Sequence, residues 1–290
     1  MRKLTKLKRL QLSDTRVQGR GLKHLADLKQ LEQLQLNNLP IKDEDLKHLS
    51  GLSNLRQLSL IKTELRGRSF RSLHGLSKLR KLTIVSKELR ELNLTGLPKL
   101  NELFVSGSSH PGRFHIERLP EMTELALYTS AAVSIRVLNM DRLESLTLSH
   151  KPNLKSLRLA RLPRLKKLRL DGSRLSDEIL SQVASLTSLE SLRLDNTNVK
   201  DEWLVHLKDL RHLETLILSH TALTGSGFAH LQALGNLKSL VLEWTQVNDE
   251  GMAPLGGLTS LEELRLYSSR GVTDQGLAHL APLVNLQDLG

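Results

Sequence analysis

Five histidines recur at one position, each set between two apolar residues: His24, His48, His206, His230 and His279. His24 and His48 are 24 residues apart, as are His206 and His230. If each interval is one structural layer, two imidazoles per pair come within range of bridging a metal ion. Metal centres in proteins normally use three or four ligands. The reading preferred is therefore a repeated, partly exposed surface position and no metal site. A second candidate is the basic run Lys151, Lys155, Arg158, Arg161, Arg164, Lys166, Lys167 and Arg169, with no acid between Glu144 and Asp171. Such a run can meet an anionic partner such as nucleic acid. No aromatic is interleaved for base stacking, so a solvated surface is preferred and nucleic acid is the weaker expectation. The chain has no G-x-G-x-x-G, P-loop, G-x-S-x-G or H-E-x-x-H string. Its acids fall mostly where exteriors and caps are expected. No enzyme, no catalytic residue and no cofactor is expected.

The elements that must carry these residues are set by leucine. It occurs 70 times in 290 residues, while aromatics make up 3%. A core built from one residue type fits identical stacked layers better than an irregular jigsaw. Cysteine is absent, which excludes disulfides and Cys-ligated metals. The longest apolar runs are a few residues, too short to span a membrane as a helix. The first residues, Met1 to Lys6, hold no apolar stretch of the signal-peptide kind. A cytoplasmic protein is expected, or one acting inside a host cell if it is a secreted effector. The net charge of +11 is unevenly placed: +12 over 1–86, +6 over 87–171 and −7 over 172–290.

The string L-x-x-L-x-L begins at Leu7, Leu31, Leu55 and Leu79, at 24-residue intervals. It recurs in conservative form at Leu100, Met122, Leu143 and Leu165, at intervals of 21 or 22. It then returns to 24 at Leu189, Leu213, Leu237 and Leu261, with a truncated copy at Leu286. In Leu189-Glu190-Ser191-Leu192-Arg193-Leu194, strand alternation turns Leu192 and Leu194 inward and Ser191 and Arg193 outward. Three residues after the last strand leucine stand Thr15, Thr63, Ser173, Thr197, Thr221 and Thr245. A hydroxyl there can bond backbone groups of neighbouring turns. Leu39 and Lys87 interrupt that ladder. Asp43, Asp201 and Asp274 are each followed by leucines at helix-compatible spacing and are expected to cap short helices.

On these strings the chain resembles the leucine-rich repeat superfamily from end to end. Val247-Asn248-Asp249-Glu250-Gly251-Met252 and Val272-Thr273-Asp274-Gln275-Gly276-Leu277 are similar to the subclass of F-box substrate receptors and bacterial repeat proteins. Ser269 stands where that subclass often has Cys, and no F-box is visible. The resemblance implies an α/β solenoid with a parallel sheet on the concave side and short convex helices.

The middle departs from this. A second apolar string runs half a coil out of phase: Leu89-Leu92-Leu94, Phe114-Ile116, Ile135-Val137 and Leu154-Leu157-Leu159. Coils of 21–22 residues with two such strings have no room for a helix. The expectation is a single solenoid over 1–290: helical coils over 1–86, flat double-strand coils over 87–165 and helical coils over 166–290. The flat section resembles the short-repeat type of bacterial effectors. Strands stack at ~4.8 Å and helices at ~8–10 Å, so helical coils fan outward. Two curved arms and a concave arc about 60 Å long are expected. Both ends look uncapped, pointing to a fragment of a longer protein or a mate over the ends.

Alternation also assigns the concave face. Its N-terminal arm is polar, with Gln11, Gln33, Gln35, Asn37 and Gln57. Its C-terminal arm presents Ile217, His220, Val241, Glu243, Trp244, Arg265 and Tyr267, including one of only two Trp and one of two Tyr in the chain. Outward aromatics beside aliphatics resemble an interaction hot spot. The expected function is a non-catalytic scaffold binding a protein partner there. The alternatives are the substrate-recognition part of a larger enzyme, such as a bacterial effector ubiquitin ligase, and a nucleic-acid binder.

Overall fold

The computed structural model describes residues 4–290. Its strands, in chain order, are β1 (Arg9–Gln11), β2 (Gln33–Gln35), β3 (Gln57–Ile61), β4 (Lys81–Val85), β5 (Glu91–Leu94), β6 (Glu102–Ser106), β7 (Gly112–Glu117), β8 (Glu124–Tyr128) and β9 (Ala132–Leu138). They continue as β10 (Ser145–Thr147), β11 (Ser156–Ala160), β12 (Lys167–Arg169), β13 (Ser191–Arg193), β14 (Thr215–Ile217), β15 (Ser239–Val241), β16 (Glu263–Arg265) and β17 (Asp288–Leu289). Two compact units result: residues 4–143 with 153–162, and residues 144–152 with 163–290.

In the first unit β1, β2, β3, β4, β6 and β8 form one parallel ladder. A second parallel sheet, ordered β11-β9-β7-β5, lies on the other side of the coils. The two alternating strings of the middle coils therefore build the two sheets. Leu92, Phe114, Ile135 and Leu157 meet in register and are buried. No helix occurs between β4 and α1 (Asp177–Ser181), as the shortened period requires. The second unit is one parallel ladder, β10-β12-β13-β14-β15-β16-β17.

The segments opposite the strands are mostly 3-10 turns: Gly19–Leu25, Asp43–Leu49, Phe70–Leu73, Asp201–Leu207 and Phe228–Leu231. Among the described residues, true α-helix is limited to α1, α2 (Asp249–Met252) and α3 (Asp274–Ala278). The reason lies in the leucine spacing. Leu46, Leu49, Leu52 and Leu55 repeat every three residues, and all are fully buried. A 3-10 helix has three residues per turn, which keeps such a row on one face; at 3.6 per turn the row would rotate off the core.

The expected caps are corrected in the same way. Asp201 opens its segment but does not cap it. Its carboxylate accepts backbone N–H groups of the following coil, from Thr224 (2.9 Å), Gly225 (3.0 Å) and Gly227 (3.1 Å). Asp43 does the same for Arg66 and Gly67, and Asp249 for Thr273. Asp274 is likewise the first residue of α3, and the cap is the Thr273 side chain. These acids tie coil to coil. The hydroxyl ladder turns out to be mostly local: Thr197, Thr221 and Thr245 donate to Leu194, Leu218 and Leu242 within their own coils, at 2.6–2.7 Å. Ser173 reaches back one coil, to the carbonyl of Leu148. Where Lys87 breaks the row, buried Ser86 takes over and bonds the carbonyl of Leu65.

Gly225 sits at φ +96°, and a Cβ there would lie 2.6 Å from the Cα of Gly251 in the next coil. Gly225→Ala is expected to cost about 1–3 kcal/mol, from the left-handed backbone and the backbone contact together. Urea unfolding of the variant measures this.

Candidate functional site

The outward surface of the second unit changes character along its ladder. At the first rungs, arginine and aspartate two residues apart pair with each other: Arg169 with Asp171 (3.3 Å) and Arg193 with Asp195 (3.1 Å). Register then places Ile217 beside Arg193, Val241 beside Ile217 and Arg265 beside Val241. Ile217 and Val241 are half-buried rather than open to solvent, because the neighbouring rungs cover their flanks. Beside them stands a file of three rings. His220 and Trp244 stack with centroids 5.7 Å apart and planes 9° apart. Trp244 meets Tyr267 edge-on at 5.9 Å. Trp244 is 51% exposed and Tyr267 62% exposed. The rings rest on one another across coils.

His220 and Trp244 both have φ +56°, the conformation held at equivalent positions by Asp14, Asn38, Lys62, His150 and Asn196. Asn and Asp tolerate it; for a bulky side chain it is strained. The local turn gains nothing from an indole there. The charges nearby are tied. Arg265 donates to Glu263, and through a second nitrogen to Asp288 (2.8 Å). Glu263 is held below the usual carboxylate range, chiefly by the Ser239 hydroxyl bond and then by Arg265. Half-buried Glu243 adds a negative charge next to Trp244. Ser219, between Ile217 and His220, is 6% exposed, and among the described residues its hydroxyl has no hydrogen-bond partner.

A family model for the LRR repeats of an FBD-associated F-box protein matches residues 1–133, and a leucine-rich repeat model matches 236–256. The chain is a leucine-rich repeat protein. No curated protein matches its sequence. Among solved structures, the leucine-rich repeat domain of APL1B is 16% identical, with TM-score 0.63, over 90% of this chain and 76% of that one. An internalin, InlF, from Listeria monocytogenes is 20% identical, with TM-score 0.54, over 99% of this chain and 87% of that one. Toll, in its Drosophila complex with Spätzle, is 20% identical with TM-score 0.52; the match covers 91% of this chain and 40% of that one. At these identities the likeness is one of fold.

Within the leucine-rich repeat frame the other candidates separate. His206 Nε2 lies 2.7 Å from the Asp177 carboxylate, an outer-surface pair between coils. The basic run divides. Arg158 lies on the second sheet of the first unit, with Lys155 just before its strand, and Lys167 and Arg169 lie on the ladder of the second. Lys151, expected among the solvated charges, is fully buried. It occupies the hydroxyl-ladder position, three residues after Leu148, and its ammonium donates to the Ser149 carbonyl. Burial lowers its pKa to about 8, with Asp171 opposing that shift. The N-terminal polar strip is partly self-satisfied: the Asn37 side chain accepts from Ser59 and from the backbone of Ile61.

One pair escaped the sequence reading. Phe104 and Tyr128, on β6 and β8, are both exposed and lie 5.4 Å apart. Phe104 stands between buried Leu103 and Val105, and that alternation already marked it as outward.

Proposed function

We propose that this leucine-rich repeat protein binds a protein partner on the outward sheet surface of its second unit and performs no catalysis of its own. Trp244 and Tyr267 are the anchors, His220 supports the indole, and Ile217 and Val241 form the apolar floor. The observation that carries this reading is the aromatic file on strained backbone: large rings held open to solvent where small polar residues serve the fold equally well. Buried anchors ringed by polar groups are what interface hot spots are made of. Glu243 and the net −7 over 172–290 favour a basic or amphipathic partner. Toll, a solved relative in fold, is seen in complex with Spätzle, which accords with a binding role.

A pull-down with the intact chain supplies the partner. Trp244→Ala and Tyr267→Ala are then each expected to weaken binding by about 2 kcal/mol or more, while Gln35→Ala leaves it unchanged. Trp244→Asn is expected to weaken binding as much while changing folding stability by less than about 1 kcal/mol, because relief of backbone strain offsets the lost ring contacts. Calorimetry and urea unfolding read the two effects. Weakening by the Gln35 change alone would move the interface elsewhere.

A further inference from the structure

The second sheet of the first unit carries a separate surface. Its outward residues come from coils far apart in sequence. In register across the strands lie His115, Arg136 and Arg158, one per strand. The neighbouring row is Glu91, Arg113, Ser134 and Ser156, with Lys155 at its edge. Arg113, Arg136, Lys155 and Arg158 are all exposed. Among the described residues none of the four has an ion-pair or side-chain hydrogen-bond partner. The two acids on this face have ionic partners of their own: Glu91, in register beside Arg113, lies 3.5 Å from Arg68, and Glu117 lies 3.4 Å from His115. Arg113, Arg136 and Lys155 also line a shallow hollow of about 480 Å³. Like charges directly opposite on one sheet face destabilise it. Arg136 opposite Arg158 is such a pair, and an anion lying over both would relieve it.

We propose that this sheet face binds the phosphodiester backbone of nucleic acid without reading its sequence. The face spans about 14 Å across four strands and about 17 Å along them. A duplex offers one negative charge per ~1.7 Å of axis, enough to meet all four cations. Protein interfaces need buried aromatic or aliphatic anchors, and none of the exposed large apolar side chains lies on this sheet. Phosphate contacts need only cations, hydroxyls and amides, which are what it presents. Among the described residues no exposed Phe, Tyr or Trp stands on this sheet to stack bases, which favours contacts to the backbone. The +12 over residues 1–86 adds long-range attraction in the same unit.

The test is fluorescence anisotropy with a fluorescein-labelled 20-base-pair DNA duplex, titrated from 50 to 200 mM salt, using the whole chain. The expected log–log salt slope is about −3 to −4, from four phosphate contacts at about 0.9 each. Arg136→Glu with Arg158→Glu should weaken binding at least tenfold at 100 mM salt and reduce the slope by about 2. Arg136→Gln with Arg158→Gln repeats the test with less perturbation of the fold, which thermal unfolding checks. The charge-matched control is Arg9→Glu with Lys62→Glu, exposed residues on β1 and just after β3 on the side of the first ladder, expected to weaken binding less than threefold. Equal loss in the control would reduce the effect to net charge and overturn the proposal. So would no binding at 50 mM salt, or displacement of the duplex by poly-glutamate at equal charge, which would make an acidic protein the ligand.

Discussion

Truncating Leu216 to alanine is expected to lower the unfolding free energy by about 2–5 kcal/mol. Leu216 is fully buried at the centre of β14, with Leu192 and Leu240 in register on either side. Removing its isobutyl group loses the transfer free energy of those atoms and leaves a cavity in a layer only one coil thick. The coils before and after cannot close that cavity without giving up their own strand register, which backbone hydrogen bonds at about 2.9 Å hold from coil to coil. Stability in stacked repeats is a sum of coil and nearest-neighbour terms, so the loss should appear first in hydrogen exchange of β13 and β15. The adjacent residue gives the contrast. Ile217 faces outward and is half-buried, so Ile217→Ala should cost under about 1 kcal/mol. Urea unfolding of the pair decides the phase of the strand: similar costs for both would mean that the inward and outward faces are misassigned.

Lys151 is expected to make stability rise with pH through the alkaline range. Its folded pKa is lowered from 10.5 to about 8 by burial, against the pull of Asp171. Between those values the unfolded chain binds the proton and the folded chain does not, so stability increases as pH rises from about 8 to about 10.5 and then levels off. Below pH 8 both states are charged, and the cost of burying the ammonium is present in full. A difference of 2.5 pKa units corresponds to about 3 kcal/mol over the window. Other lysines and the tyrosines also titrate there, so the measurement is a difference. Urea unfolding of the parent chain and of Lys151→Met at pH 7.5, 8.5 and 9.5 should show the parent gaining on the variant by about 2 kcal/mol over that range. Parallel pH profiles would mean that water reaches the ammonium in the folded state. Asp171 keeps partners in the variant, Ser149 at 2.7 Å and Arg169 at 3.3 Å, so the comparison does not strand a buried carboxylate.

The leucine strings determined the coil, its strand face, its phase and the strand-only middle. Strand alternation and coil length act within about 24 residues, and the leucines that report them lie inside one copy of the repeat. The outward placement of Trp244 and Tyr267 followed from the same alternation. The half-burial of Ile217 and Val241 did not, since it depends on side chains one coil away. The spacing of Leu46, Leu49, Leu52 and Leu55 held the signal for 3-10 turns, but a period of three is also compatible with a short α-helix until coil packing selects the tighter form. Only the tertiary structure decided the rest. Asp201 was read as a cap because its own segment follows it, yet its partners are 23–26 residues onward. Lys151 read as solvated because its neighbours in sequence are polar, whereas its surroundings in the fold are the coil interior and Asp171. Arg113, Arg136 and Arg158 are separated by more than 20 residues each, so no window along the chain shows them as a group. Stacking of parallel strands at ~4.8 Å turns those separations into direct neighbours, and contacts made between coils are therefore the part of this protein that its sequence leaves for the fold to determine.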